Sequence, residues 1–243
     1  MKAIVLAAGQ GARLRPLTDD RPKCMVAYKG VPLIDRILAS LRASGIEDIV
    51  VVKGYMADSL NPAGARTFTN ERYATGNMVA TLFSVEDEIV GDVLISYSDI
   101  AYGPGIVQKL EASDADISIV VDLAWRELWQ KRMSDPLADA ETLKLGDGGR
   151  VREVGKKPWS YADIEGQYIG LIKLSAKGAA KLRALYARLD RKATYDGQPF
   201  EKMYMTSLLQ RAIDEGIEVR AVPIRGGWIE IDAPSDLEID VAV

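Results

Sequence analysis

The first 23 residues constrain this chain more than any other stretch. An apolar run from Ala3 to Ala8 reads as a buried strand, and it empties into a loop holding Gly9 and Gly11. Two glycines two residues apart let backbone N–H groups turn inward toward an anion, because no Cβ blocks the approach. Arg13, Arg15, Arg21 and Lys23 then place four cations within eleven residues. Backbone donors ringed by Arg and Lys suit a polyphosphate.

Other phosphate-binding turns fit these residues poorly. A dinucleotide turn needs a third small residue opening a helix, then an acid at the end of the next strand. Here Leu14 takes the third position, Pro16 and Pro22 forbid a long helix, and the second strand ends at Lys53. The Gly-Lys-Ser/Thr of an ATPase P-loop never occurs. A plain solvated basic loop stays open on this stretch alone. The nucleotide reading accounts for the glycines as well as the cations.

Composition narrows the function further. With 243 residues, 48% of them hydrophobic, the chain can bury one substantial core. A net charge of −4 argues against a nucleic-acid binder, so the basic cluster is a local site. Gly9 and Arg13 interrupt the N-terminal apolar stretch before it reaches signal or membrane-span length, so a cytoplasmic protein with no membrane partner is expected. Cys24 is the only cysteine, which excludes intrachain disulfides and cysteine-cluster zinc sites; it reads as a buried filler or as a reactive thiol beside Lys23. Histidine is absent. No Ser-His-Asp or Cys-His catalysis is available, and any metal must take oxygen ligands, as Mg²⁺ does.

Strand-like runs recur at Ala3–Ala8, Asp48–Lys53, Asp92–Tyr97 and Asp116–Asp122, with amphipathic stretches between them. The clearest is Leu33–Ser44, which carries Leu33, Ile37, Leu38 and Leu41 on one face and stops at Gly45. This alternation predicts an α/β fold, a Rossmann-like, mostly parallel sheet with helices on both faces. After residue 123 the pattern changes. Glu141–Leu145 and Val151–Val154 flank Gly146-Asp147-Gly148-Gly149 and read as a small acceptor-side hairpin lobe. A strand at Gln167–Leu174, helices at Ala176–Leu189 and Phe200–Glu215, and a strand at Glu218–Ile224 follow. Asp190–Phe200 is the least periodic stretch and reads as a mobile loop. The expectation is a single domain over 1–243, with a nucleotide-binding core in 1–122 and an acceptor-side half in 123–243.

Ligands of open parallel sheets lie at the carboxyl ends of the strands. Asp99 closes the apolar strand Val93–Tyr97, where it reads as a turn former or as a site carboxylate near the glycine loop. In Trp228-Ile-Glu-Ile-Asp232, alternation points Glu230 and Asp232 to one face, where the pair needs a cation or solvent to relieve its repulsion. Asn77 and Thr81 lie at i and i+4 of a helix start, so both can face one ligand, or Asn77 can merely cap the helix.

The segment Leu6-Ala7-Ala8-Gly9-Gln10-Gly11-Ala12-Arg13-Leu14-Arg15-Pro16-Leu17-Thr18, followed by Arg21-Pro22-Lys23, resembles the signature of nucleotidyltransferases that make activated sugars and alcohols. The similarity is strongest to the small cytidylyltransferases that use phosphocholine, aminoethylphosphonate or phosphoglutamine. Residues 125–129, 139–145, 164–171 and 203–207 look most like the phosphoglutamine branch. The resemblance implies that Leu6, Ala7, Ala8, Gly9, Gly11, Asn77 and Thr81 bind CTP, and that Arg13 and Lys23 act on its phosphates. It further implies that Asp99 and Asp232, with Glu230 as a weaker ligand, hold Mg²⁺. Gly155-Lys-Lys-Pro158 resembles the family's Glu-Lys-Pro, which maps the acceptor-phosphate lysine to Lys157; Lys156 stands where Glu is usual, so either lysine can be the one that reaches in. Glu165 could pair with an acceptor amine, and Arg126 or Arg132 with a carboxylate. Trp125, Trp129, Trp159 and Tyr168 read as lobe core or as a cage for a quaternary ammonium.

The substrates implied are CTP and a small phosphorylated or phosphonate acceptor, handled by a monomer or homodimer. The sugar-nucleotide pattern Gln-Pro-Gly-Gly-Leu is missing from the Asn77 segment, which weakens a sugar-1-phosphate transferase using UTP, dTTP or GTP. A catalytically silent nucleotide-binding regulator is the alternative from another class.

Overall fold

A computed structural model describes residues 1–243. Its centre is a seven-stranded sheet built from β1 (Lys2–Ala7), β2 (Asp48–Lys53), β3 (Arg66–Thr69), β4 (Val93–Tyr97), β6 (Ile117–Asp122), β9 (Gln167–Leu174) and β10 (Val219–Ile224), in the spatial order β10-β6-β9-β4-β1-β2-β3. Every pairing is parallel except those of β9, which runs against both β4 and β6. The expected mostly parallel α/β architecture is present.

Alternating side chains of each strand feed two cores. Ala3, Val5 and Ala7 of β1 enter one, and Ile4 and Leu6 the other. The first core is closed by α1 (Leu33–Ala43), α3 (Pro104–Glu111) and α4 (Trp125–Arg132); the second by α2 (Met78–Phe83), α5 (Ala176–Arg188) and α6 (Met205–Asp214). No helix is long and apolar enough to cross a membrane.

Two short pairings shape the ends of this frame. The expected hairpin forms from β7 (Leu143–Leu145) and β8 (Val151–Val154), and α6 packs on it, with Gln210 Oε1 accepting from Val154 N at 2.9 Å. Strand β5 (Ile100–Tyr102) pairs antiparallel with β11 (Trp228–Glu230). Two sequence expectations need correction. The helix predicted from Phe200 starts only at Met205, because a short turn over Phe200–Lys202 and extended backbone at Met203 and Tyr204 bury Phe200 and Met203 first. The segment 190–200 is not a featureless loop. Thr194–Tyr195 pairs with Gln198–Pro199 around Asp196-Gly197, both left-handed as a tight hairpin requires.

Candidate active site

Strand β1 releases the glycine loop at its carboxyl end, beside the carboxyl end of β4. Gly11 has φ +64, and a Cβ there would stand 2.9 Å from the Cβ of Lys23. Glycine is therefore required for Lys23 to pass under the loop. The Gly11 carbonyl accepts from Leu14 N at 2.9 Å and from the Thr18 hydroxyl at 2.9 Å, which closes the turn. Gly9 and Gln10 stay exposed, with open space above Gly9. Leu6 and Ala7 are buried, so their side chains belong to the cores and only their backbone can serve a ligand.

The pairing of β5 with β11 gathers the acids. Ile231 N donates to the Asp99 carbonyl at 2.8 Å, which sets Asp99 beside Glu230 and Asp232. One carboxylate oxygen from each of the three lies within 4.8 Å of the others. Lys23 Nζ donates to Asp99 Oδ2 at 2.7 Å and to Asp232, and Arg13 reaches Asp232 Oδ2 at 2.8 Å. Burial opposes the Lys23 charge, but the Asp99 and Asp232 carboxylates outweigh it and hold the amine above the usual lysine range. Burial drives the Glu230 carboxyl up, and repulsion from Asp232 adds to this. Asp232 is pulled the other way: burial is overcome by Lys23 and Arg13.

The acidic cluster has a charged buttress that sequence reasoning missed. The Arg132 side chain is only 3% exposed; it bonds Glu230 at 2.8 Å and Asp236 at 3.3 Å. Asp236 in turn accepts from the backbone N–H groups of Asp232 and Ala233, each at 2.8 Å. Arg132 is thus a strut of the carboxylate cluster and is not free for an acceptor carboxylate. Asp99 Oδ1 is buried without a hydrogen-bond partner. An orphaned carboxylate oxygen beside two further acids, with hard oxygen donors throughout, fits a divalent cation.

A cleft of about 500 Å³ opens beside this cluster, lined by Arg13, Asn77, Tyr97, Glu141, Tyr168 and Asp232 among others. Gly170, at φ +87, lets the Tyr97 ring lie across β9, since a Cβ there would meet the ring at 2.5 Å. Asn77 lines the cleft while its Oδ1 caps α2 through Met78 N at 2.8 Å. Thr81 does not reach the cleft; its buried hydroxyl accepts from Asn70 Nδ2 at 3.1 Å.

The acceptor-side expectations are redistributed. Glu165 lies outside the cleft, where its carboxylate accepts from Leu145 N at 2.7 Å and steadies the hairpin. Arg126 stacks over Tyr161 at 3.8 Å and is also outside. Lys157 is exposed and does not line the cleft, and Lys156 pairs with Asp196 at 2.6 Å. The four-membered aromatic cage is not assembled. Trp125 and Trp129 pack against each other in the core, and Trp159 is 96% exposed. Glu141 occupies the cleft instead. It stands in the 139–145 stretch that carried part of the resemblance, and the Asp139/Glu141 alternation before β7 was the signal available for it.

A glycine cradle, two cations and a carboxylate triad at the carboxyl ends of a parallel sheet define a nucleotidyltransferase. The chain belongs to the family described as the MobA-like NTP transferase domain, whose model matches residues 3–191. Within it the chain groups with the cytidylyltransferases: it is 46% identical to the CTP:phosphoglutamine cytidylyltransferase of Campylobacter jejuni over 99% of both chains. Two solved structures share the fold. The inositol-1-phosphate CTP transferase of T. maritima has a TM-score of 0.75 at 24% identity, covering 97% of this chain and 90% of that one. The CTP:phosphocholine cytidylyltransferase of Streptococcus pneumoniae has a TM-score of 0.71 at 23% identity, covering 98% and 96%.

Proposed function

We propose that this enzyme transfers the cytidylyl group of CTP to a phosphate oxygen of a small phosphorylated acceptor of the phosphoglutamine type, with Mg²⁺ as cofactor. The observation that carries the reading is the convergence of Lys23, Asp99 and Asp232 under the glycine loop. The full-length likeness to a phosphoglutamine enzyme supports the acceptor class.

An acceptor phosphate oxygen attacks the α-phosphorus, the bond from that phosphorus to the bridging oxygen of the β-phosphate breaks, and pyrophosphate leaves. The nucleophile is anionic near neutral pH, so no general base is needed, in keeping with a chain that lacks histidine. Alignment and charge neutralisation then supply the rate. Backbone N–H groups of Gly9–Gly11 and the exposed Arg13 guanidinium hold the leaving phosphates. Lys23 offsets charge at the α-phosphate. Asp99 and Asp232, with Glu230 beside them, would hold Mg²⁺, which supplies Lewis-acid charge to the triphosphate. Asn77, at the cleft wall, is placed to meet the base or ribose.

The test is pyrophosphate release with CTP, UTP, dTTP or GTP against phosphoglutamine, phosphocholine, aminoethylphosphonate and glucose 1-phosphate, each with Mg²⁺. The expected result is the highest kcat/KM for CTP with phosphoglutamine. A preference for glucose 1-phosphate would overturn the acceptor class. Nucleotide binding without turnover on any pair would point to a regulator instead.

A further inference from the structure

We infer that Glu141 selects the acceptor by pairing with an ammonium group that carries N–H bonds. The inference rests on reading the cleft as the acceptor site of a cytidylyltransferase and assigns its specificity-determining residue.

Charge balance in the cleft carries the argument. Four carboxylates line it, those of Asp139, Glu141, Glu230 and Asp232, against the single cation Arg13. Three of the four have their needs met within the protein. Arg132 answers Glu230, Lys23 and Arg13 answer Asp232, and the Trp129 indole N–H donates to Asp139 at 3.0 Å. Glu141 forms no ion pair, although it is half-buried in the wall. A carboxylate held in such a place without a cation is costly unless a ligand brings one.

Its position is fixed. Gln167, the first residue of β9, accepts from Glu141 N at 3.1 Å and returns its own amide N–H to the Glu141 carbonyl. This side-chain clamp ties the Glu141 backbone to the central sheet. Beside Gln167, Tyr168 lines the same wall with its hydroxyl buried near Tyr97 and Glu141. A carboxylate that receives the Thr206 hydroxyl but no cation suits a donor that brings both charge and N–H bonds. A quaternary ammonium offers charge but no N–H, and a neutral alkyl group offers neither. Burial, reinforced by the Asp139 charge, pushes the Glu141 carboxyl up to about 7, the direction expected of a site that lacks its counter-ion.

The experiment measures binding by titration calorimetry for phosphoethanolamine, phosphocholine and ethyl phosphate. Wild type, Glu141→Gln and Glu141→Asp are each titrated with and without a non-hydrolysable CTP analogue. We expect wild type to bind the three in that order. Glu141→Gln should weaken phosphoethanolamine about tenfold to a hundredfold and change ethyl phosphate by no more than about twofold, the signature of one lost charged hydrogen bond. Glu141→Asp should recover part of the loss, and melting curves will report that both variants are folded. Equal losses for all three ligands, or a wild type that favours phosphocholine, would overturn the inference. Failure of the CTP analogue to bind would instead count against the cytidylyltransferase reading, while the ammonium selectivity would still be scored in its absence.

Discussion

Lys23 Nζ stands 2.7 Å from Asp99 Oδ2 and hydrogen-bonds Asp232 as well, so one ammonium joins the end of β4 to the segment after β11. A cation with that address offsets the carboxylates' charge and lies beneath the glycine loop.

Replacing it should damage chemistry more than binding. Lys23→Ala is expected to lower kcat by about 10²–10³, the size typical of losing one preorganised donor to developing charge. KM for CTP should move less, because the interaction strengthens in the transition state. Steady-state kinetics at saturating acceptor checks this; turnover within about threefold of wild type would remove the lysine from the mechanism.

The same substitution should change how the folded protein responds to metal. Without the ammonium, Asp99, Glu230 and Asp232 repel one another with less to offset them. In EDTA, Lys23→Ala should melt below wild type, and Mg²⁺ should raise its melting temperature by more than it raises that of wild type. Equal Mg²⁺ shifts in the two proteins would contradict a shared set of oxygens.

Asp99→Asn and Asp232→Asn should each abolish Mg²⁺-dependent turnover while the fold survives. If both serve one ion, the double variant should be little worse than either single one, as for residues acting as a unit. Losses that multiply would show separate roles.

Arg132 makes a prediction about stability. Arg132→Met leaves the buried Asp236 and the half-buried Glu230 without their guanidinium, and breaking a buried pair in this way costs about 3–5 kcal/mol. Urea denaturation measures it. A loss below about 1 kcal/mol, the range of exposed pairs, would show that the strut contributes little.

Glu141 predicts a pH dependence whose sign can be worked out. Burial first, then the Asp139 charge, with Asp196 adding and a Thr206 hydrogen bond opposing, place its pKa near 7, above the ordinary 4.5. Below that value the carboxyl is protonated and loses its hold on an ammonium. Relative to the same ratio in Glu141→Gln, the ratio of KM for phosphoethanolamine to KM for ethyl phosphate should therefore rise as pH falls from about 8 to about 6. The acceptor phosphates titrate identically with both proteins, so the difference between the two profiles isolates the carboxyl. In the unliganded protein the unfolded chain ionises this group first, so its contribution to stability declines as pH rises from 4.5 toward 7.

Local signals carried most of the frame. Strands β2 and β9 lie where periodicity placed them; β4, β6, β10 and α1 differ by a residue at one end and β1 by a residue at each end, while the short exposed edge strand β3 carries no apolar run and was not anticipated. The glycine loop, Lys23, Asp99, Glu230 and Asp232 were legible because each sits at a strand end or in a local motif. The cleft wall was not. Glu141 is held at the cleft by the Gln167 clamp, and Glu165 turns away to Leu145 N, both contacts between segments that no local pattern links. Arg132 could be seen as a cation near tryptophans, but its commitment to Asp236 depends on how the chain returns after β11.

The reversal of β9 has a bearing on how such enzymes can diverge. Because it runs against β4 and β6, its first residues arrive at the edge where β1 and β4 release the glycine loop and Asp99. Main-chain bonding thus joins the cleft wall at the start of β9 to the strands that carry the glycine loop and Asp99. Recombination that exchanged residues 123–243 between relatives would cut through the middle of the sheet, parting β6 from β9 and β10. A substitution at a cleft position such as Glu141 leaves those strand pairings intact, whereas a transplanted half must re-form them.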